Sequence, residues 1–444
     1  MKKIGIMGIC GIGMSAIAQF FNHQGNQVFG SDSNYQGKRA QELREKAIEV
    51  YSEEDFLAGE KPDFIIKSSG ILENNKALKR AKDLQIPILT RKEALAKITE
   101  NYDKVLAVAG THGKTTSTTL LAEFFTNLGL NPTVFCGGIM AFCNNNLKLG
   151  CEEILILEAD ESDGTFLEIK RNLALITNIN WDHVDFFPSF EAIKEAFELF
   201  VNKSEKFLIP NSEAKKIPSF TPYLTFGLKE NNTISARSIQ RIGDELAFEL
   251  LFQDKSYPCQ IKSPAKHNIS NALGVLGMAL ALGLEPDTII PTFQKTLANF
   301  QGVARRLNYL PKNQRTHLTV LDDYAHHPNE IKLTIESVKD KNTLIVVWQP
   351  HRFTRIQAFL EEFLEVFYDA DYLLVSEIYS GGEEAIPGLS GKFLVEELLK
   401  RSIKVFFTPD EAAVAKKLDQ IALPGDTLLF LGAGSISDWA KNFS

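Results

Sequence analysis

Short apolar runs that end in small or polar residues recur along the chain and alternate with longer stretches whose apolar positions fall at helical spacing. Lys3–Met7 is strand-like, Gly8 to Gly13 make a turn, and Met14–Asn22 begins a helix; Gln27–Phe29 is a second strand that ends near Ser31 and Asp32. Phe64–Lys67 then runs into the turn Ser68–Ser69–Gly70. This is strand–helix–strand logic, and it predicts a parallel α/β sheet that binds ligands at the carboxyl ends of its strands. A second segment opens near Tyr102 with KVLAVA and the helix-like TTSTTLLAEFFTNLG, continues through EEILILE and the strand Leu173–Thr177, and turns to short β-rich pieces between Phe226 and Ser263. The helical ALGVLGMALALG follows. A third alternating segment carries the strands LTVLDDY, TLIVVWQ, LLVSEIY and TLLFLGAG. The pattern predicts three α/β domains at about 1–98, 99–310 and 311–444.

Length agrees, because 444 residues exceed what one core supports. Composition excludes more than it assigns. With 44% hydrophobic and 23% charged residues the chain reads as globular, and no apolar run approaches the ~20 residues a membrane helix needs. The basic start continues directly into a strand, so a signal peptide is not expected and the expected location is the cytoplasm. Cys10, Cys136, Cys143, Cys151 and Cys259 are odd in number and lack CxxC pairing, against a disulfide framework or structural zinc. A net charge of −8 gives no reason to expect nucleic acid as a partner.

The most informative run is AGTHGKTTSTT. Gly110, Thr111, His112, Gly113, Lys114, Thr115 and Thr116 lie between a strand and a helix, where a phosphate-binding loop belongs. The helix start supplies N–H donors, Lys114 reaches outer phosphates, and the Thr115 hydroxyl suits Mg²⁺. Two acidic groups follow neighbouring strands: Glu158, Asp160, Glu161, Ser162 and Asp163, then Asp182, His183 and Asp185. Glu158 is the first candidate metal ligand, beside Thr115. His183 is either a second-site ligand as neutral imidazole or an interior histidine bonded to Asp182 or Asp185.

Other clusters leave alternatives open. The first glycine turn, with Gly11, Ile12, Gly13, Met14 and Ser15, suits a diphosphate at a helix N-terminus, with Asp32 or Ser31 meeting a sugar; glycines that serve only close packing are the simpler reading. Asn268 and Asn271, three apart at a helix start, either present amides to a base or cap the helix. Arg305 and Arg306 supply cations, one of which can touch a transferred phosphate. Beyond the strands of the third segment lie Asp322, Asp323, Tyr324, His326 and His327, then His351, Arg352 and Arg355, then Tyr379. No zinc-type ligand spacing joins these histidines, and Arg352 and Arg355 suit a carboxylate-bearing substrate or surface ion pairs.

Taken together, GICGIGMSAIA, AGTHGKTT, EADESD, NINWDHVDFF, HNISNALG, GVARR, DDYAHHPNE and QPHRFTR make the whole chain resemble the Mur ligase family. The resemblance implies a Rossmann-like N-terminal domain for the UDP end of a sugar nucleotide, a central ATPase and a Rossmann-like C-terminal domain that closes over ATP and an amino acid. It implies ATP and two magnesium ions as cofactors, and a bacterial, cytoplasmic enzyme, monomeric or homodimeric. Lys114 and Thr115 would hold phosphates and Mg²⁺, Glu158 and His183 magnesium, Asn268 and Asn271 adenine, and Asp323 the ribose. Gly11 to Ser15, Asp32, Ser68, Ser69, Glu161, Ser162, Tyr324, His327 and Tyr379 would face substrates, with His351, Arg352 and Arg355 around the amino acid and the reacting carboxylate.

The pattern is most similar to the branch that joins L-alanine to UDP-N-acetylmuramate. Many relatives that add later residues carry a carbamylated lysine where AIKEAFELF places Phe197, and the alanine-adding branch typically lacks it. Cys10 instead resembles the muropeptide-recycling branch, which attaches a whole peptide. A dehydrogenase reading, with Asp32 some twenty residues beyond the glycines, leaves Lys114, Glu158 and His183 without a job.

Overall fold

The strands gather into three sheets in chain order in the computed structural model, which describes residues 1–59, 61–184, 186–311, 317–339 and 342–444. The first sheet holds five parallel strands in the order Glu49–Tyr51, Gln27–Ser31, Lys3–Met7, Phe64–Lys67 and Ile88–Thr90. Strand order reverses around Lys3–Met7, so a crevice opens at its carboxyl end. The helix Ile12–His23 starts there, straight from the glycine turn.

The second sheet has ten strands around Lys104–Ala109, which pairs in parallel with Leu173–Ile176 on one side and Cys151–Glu158 on the other. The helix Lys114–Asn127 leaves the phosphate-type loop and is buried along most of its length, with Phe124 packed edge-on against Phe293 at 5.2 Å. Where short β pieces were expected, Ile234–Ile242, Glu245–Phe252 and Lys255–Ile261 form long antiparallel hairpins that extend this sheet. Strict alternation in ELAFELLF, buried at every second residue, explains the length, because one face covers core and the other meets water.

The third sheet has six strands, in the order Asn308–Tyr309, Thr319–Asp323, Thr427–Leu431, Leu344–Trp348, Tyr372–Val375 and Val405–Phe407, all parallel except the first pair. Phe197 sits on the helix Phe190–Asn202, wholly buried against Phe166 and Phe200. That position is core. All five cysteines are free thiols, and among the described residues no helix is long and apolar enough to cross a membrane.

Polar bridges fix the units against one another. Asn146, on the hairpin Pro132–Met140 and Asn145–Lys148, donates to the Ile12 carbonyl at the start of the first helix. Arg91 reaches Asp163 at 3.4 Å, and Arg355 reaches Asp182 at 3.2 Å with both side chains almost fully buried.

Candidate active site

The carboxyl ends of the three sheets converge on a cleft of about 1130 Å³, and a second cavity of about 470 Å³ adjoins it. The cleft receives Ile12, Gly13 and Ser69 from the first unit, most of the phosphate-type loop with Glu158, Ser162 and His183 from the second, and Arg305, Arg306, Tyr324, His351, Arg352 and Arg355 from the third unit and the segment that leads into it. The smaller cavity is lined by Thr116, Asn268, Asn271 and Asp323. His112, Gly113, Arg306 and Glu330 form the wall common to both.

The loop geometry demands glycine. Gly110 has φ +129°, and a β-carbon there would lie 2.1 Å from Thr177 Oγ1; Gly113 has φ +81°, with Asn271 at 2.9 Å from the same hypothetical atom. Side chains are thereby excluded where the backbone turns into the helix and its N–H groups aim outward.

Lys114 extends under this loop to Glu161, with Nζ at 2.7 and 2.8 Å from the two carboxylate oxygens and 3.8 Å from Asp160. Burial works against the ammonium, but Glu161 and then Asp160 outweigh it and hold Lys114 above its ordinary value. Glu161 is completely buried beneath the cleft floor. The sequence expectation that it meets substrate gives way to a role as counter-ion, because both oxygens are committed to Lys114 and one also lies 3.2 Å from His183 Nε2.

Glu158 accepts the Thr115 hydroxyl at 2.9 Å and the Gly137 N–H at 2.7 Å, while burial raises its carboxyl above the usual range. His183 has left-handed backbone, φ +53°, and its ring faces Glu161; Asp182 Oδ1 instead accepts the His183 backbone N–H at 2.7 Å. Asp185, the other expected partner, lies outside the described residues. Asp160, Glu161 and His183 present ligand atoms within 4.8 Å of one another, the one such cluster among the described residues. The sequence names Asp160 in the acidic run EADESD but singles out Glu158, not Asp160, as the metal ligand. Burial is outweighed by Lys114 and then Arg91, which lower Asp160 to about 2, so it is ionised and suited to a cation.

In the second cavity Asn271 Nδ2 donates to Asn268 Oδ1 at 3.1 Å, and Asn268 Nδ2 to Ser263 Oγ at 2.8 Å. Neither caps the helix Lys266–Ala281, whose N-cap is Ala265, so the capping alternative is not taken. Asp323 accepts the Leu307 and Ala325 N–H groups, and burial raises its carboxyl to about 6.

Several expected substrate contacts lie elsewhere. Met14 is core, and the Ser15 hydroxyl donates to the Ile12 carbonyl. Asp32 braces the glycine turn from behind, accepting the Cys10 and Asn34 N–H groups at 2.9 Å each. Ser68 bonds within its own turn, while Ser69 and Gly70 reach the cleft. His327 is corrected from the substrate pocket to packing: its Nδ1 accepts the Asn329 N–H at the start of the helix Pro328–Val338, and its ring meets Phe359 edge-on. Its neighbour His326 takes the cleft position. Tyr379 stacks on His351 with ring centres 5.5 Å apart.

Two tautomers follow from donor chemistry. Arg355 can only donate, so its 3.3 Å contact makes His351 Nδ1 an acceptor and leaves the ring proton on Nε2. His351 then offers a donor, Nε2–H, to the cleft. The Tyr324 carbonyl can only accept, so at 2.9 Å it fixes the proton of His326 on Nδ1 and leaves Nε2 as that ring's acceptor.

The chain matches the family models Mur ligase family, catalytic domain, over residues 3–103, Mur ligase middle domain over 108–279, and Mur ligase, glutamate ligase domain, over 305–434. It is 36% identical over its full length to a UDP-N-acetylmuramate–L-alanine ligase of Aquifex aeolicus, covering 97% of that protein. The chain belongs to the Mur ligase family. Among solved Mur ligases, the UDP-N-acetylmuramate–alanine ligase of Thermotoga maritima superposes with a TM-score of 0.84 at 27% identity, covering all of this chain and 98% of the other. A murein peptide ligase of Psychrobacter arcticus gives 0.72 at 21%, again over all of this chain and 98% of its own, a likeness of fold.

Burial lowers four imidazoles of this Mur ligase, His326 to about 3 and His267, His327 and His351 to about 4. Each is neutral when folded yet binds a proton near pH 6.5 when unfolded, so stability is expected to fall as pH drops from about 6.5 towards 4. The raised carboxyls of Asp323, Glu123, Glu158 and Asp322 and the raised His183 act in the opposite sense, while the lowered carboxyls of Asp160, Asp182 and Glu330 reinforce the loss towards pH 4. Thermal unfolding midpoints across that range check the sum; a midpoint that rises on acidification contradicts it.

Proposed function

We propose that this Mur ligase joins L-alanine to the lactyl carboxylate of UDP-N-acetylmuramate at the expense of ATP, in peptidoglycan precursor synthesis. The observation that carries the reaction type is the pair of adjoining cavities, with His112 and Arg306 between a nucleotide-sized space and a three-walled cleft that Lys114 lines. A carboxylate and an amine in water exchange a proton and stop as a salt. Phosphorylation removes that obstacle: a carboxylate oxygen bonds to the terminal phosphorus, the bond to the ADP oxygen breaks, the amine nitrogen attacks the acyl carbon, and phosphate departs. The sugar-nucleotide diphosphate lies along the turn at Ile12 and Gly13, adenine beside Asn268 and Asn271, and ribose at Asp323.

The donor set fits divalent cations, since Asp160 and His183 converge beside the Lys114-bound Glu161 and Thr115 and Glu158 form a second oxygen-rich corner. Magnesium, when bound, neutralises phosphate charge. Of the two arginines, Arg305 donates to the Gly432 and Gly434 carbonyls, whereas Arg306 sits on the wall between the cavities. Arg306 therefore supports the transferred phosphoryl group. Arg352, with its side chain 38% exposed, meets the amino acid's carboxylate, and His326 Nε2 is the acceptor for its amine.

Incubation with UDP-N-acetylmuramate labelled with ¹⁸O in the lactyl carboxylate, ATP, Mg²⁺ and L-alanine is expected to place one label in inorganic phosphate. AMP release with all label kept in the amide rejects the acyl-phosphate route. A marked preference for L-Ala-γ-D-Glu-containing tripeptide over alanine identifies a recycling ligase instead. Glu158→Gln preserves volume and removes a charge, so the Mg²⁺ dependence of turnover is expected to move to higher concentration; an unchanged titration removes Glu158 from cation support.

A further inference from the structure

Glu330 belongs to none of the groups that sequence reasoning assigned, yet it lines both cavities. It projects from the helix Pro328–Val338, and its side chain is only 10% exposed. Its Oε1 lies 3.2 Å from His112 Nδ1 and 3.5 Å from an Arg306 terminal nitrogen, while Oε2 accepts the His326 backbone N–H at 3.2 Å. Burial disfavours this carboxylate, but His326, His112 and Arg306 outweigh it and hold it well below the usual range.

A buried anion costs several kcal/mol unless its partners repay it, which makes this placement specific rather than incidental. What it organises is informative. His112 is the one side chain of the phosphate-type loop that reaches Glu330, and its other nitrogen, Nε2, is buried without a hydrogen-bond partner among the described residues. The carboxylate accepts a hydrogen bond from Nδ1–H and so orients a lone, unpartnered ring nitrogen on the wall between the cavities. Arg306 is held on the same wall, between Glu330 and the face of Tyr324, 5.1 Å from the ring centre.

We propose that Glu330 is a positioning residue for phosphoryl transfer: it ties the third unit to His112 and Arg306, and so keeps the nucleotide cavity in register with the transfer cleft. This rests on the ligase reading above. Glu330 touches no reacting atom; its effect passes through the two side chains that meet the transferred phosphate.

The test compares the intact protein with Glu330→Gln, Glu330→Asp, His112→Ala and the double variant His112→Ala/Glu330→Gln, following alanine-dependent phosphate release and, by calorimetry, MgADP binding. Glu330→Gln is expected to lower kcat roughly 10–100-fold, the scale of a reacting group displaced by about 1 Å, with KM for alanine and Kd for MgADP within about threefold of the parent. The double variant is expected to lose clearly less than the product of the two single losses, because the changes share the His112–Glu330 contact. Glu330→Asp keeps the charge on a shorter arm and is expected to regain part of the rate if it folds when the glutamine does not. A Glu330→Gln kcat within twofold of the parent overturns the proposal. So do strictly additive losses, or kcat and MgADP affinity that fall by the same factor. A parent that releases no phosphate with alanine rejects the ligase reading itself, a result distinct from an active parent with indifferent variants.

Discussion

Lys114→Met is expected to lower turnover by about 10³-fold or more, the largest single effect in the molecule, because a preorganised cation is lost where phosphate charge develops. The sequence alone suggests that the fold would be untouched. The structure adds a second consequence. Lys114 is the counter-ion of a completely buried Glu161, which it holds through both carboxylate oxygens. Breaking a buried pair from one side typically costs about 3–5 kcal/mol, since the remaining charge has neither water nor partner. His183, 3.2 Å away, softens that cost only in part. Lys114→Met should therefore be both inactive and less stable, and Lys114→Met/Glu161→Gln should recover thermal stability while staying inactive. Phosphate release and a thermal melt on both variants separate the effects. A double variant that regains turnover, or a single variant as stable as the parent, contradicts the assignment.

The same pair shows why some of the site was legible in sequence and some was not. Lys114, Thr115 and Glu158 are placed by local rules, a strand, a glycine-bearing turn and a helix start, and those rules operate over a few residues. Glu161 lies three residues beyond Glu158 in the same acidic run, but whether a carboxylate there faces the cleft or the floor depends on how the turn after Cys151–Glu158 folds under the phosphate-type loop. His326 and His327 pose the same problem at a separation of one. Adjacent side chains leave the backbone in different directions, and the one that starts the helix Pro328–Val338 is drawn into capping and packing. Glu330 was visible in DDYAHHPNE, four residues after His326 on that helix, but its partners His112 and Arg306 come from distant parts of the chain. Only the assembled sheets bring them together. The three-unit α/β plan needed no such information, because strand–helix alternation repeats throughout; the length of the hairpins between Ile234 and Ile261 was missed where the exposed face of each strand diluted the apolar signal.

Arg355→Lys should cut kcat/KM for alanine by roughly 100-fold although the charge is kept, since lysine cannot reproduce the guanidinium fork. Arg355 is 5% exposed and divides its donors between Asp182, at 3.2 Å from Nε, and His351 Nδ1, at 3.3 Å from a terminal nitrogen. It therefore does two jobs at once: it locks the second unit to the third, and it fixes the tautomer of an imidazole on the cleft wall. A lysine offers one nitrogen where two separate donors are needed, so either Asp182 is left buried and unpaired or His351 is free to turn. Asp182→Asn tests the first half alone. It leaves Arg355 without its buried partner, with an expected stability loss of about 3–5 kcal/mol. Burial opposes the Asp182 charge, but Arg355 and then His183 outweigh it and keep the carboxyl far below the ordinary aspartate range. A depressed carboxyl contributes stability above its unfolded value and loses it as pH falls, so this pair stabilises fully above about pH 4 and weakens below it. Parent and Asp182→Asn melting curves should converge as the pH is lowered through that range. An Arg355→Lys enzyme within threefold of the parent for alanine, glycine and serine alike would show that neither contact governs the amino-acid end of the cleft.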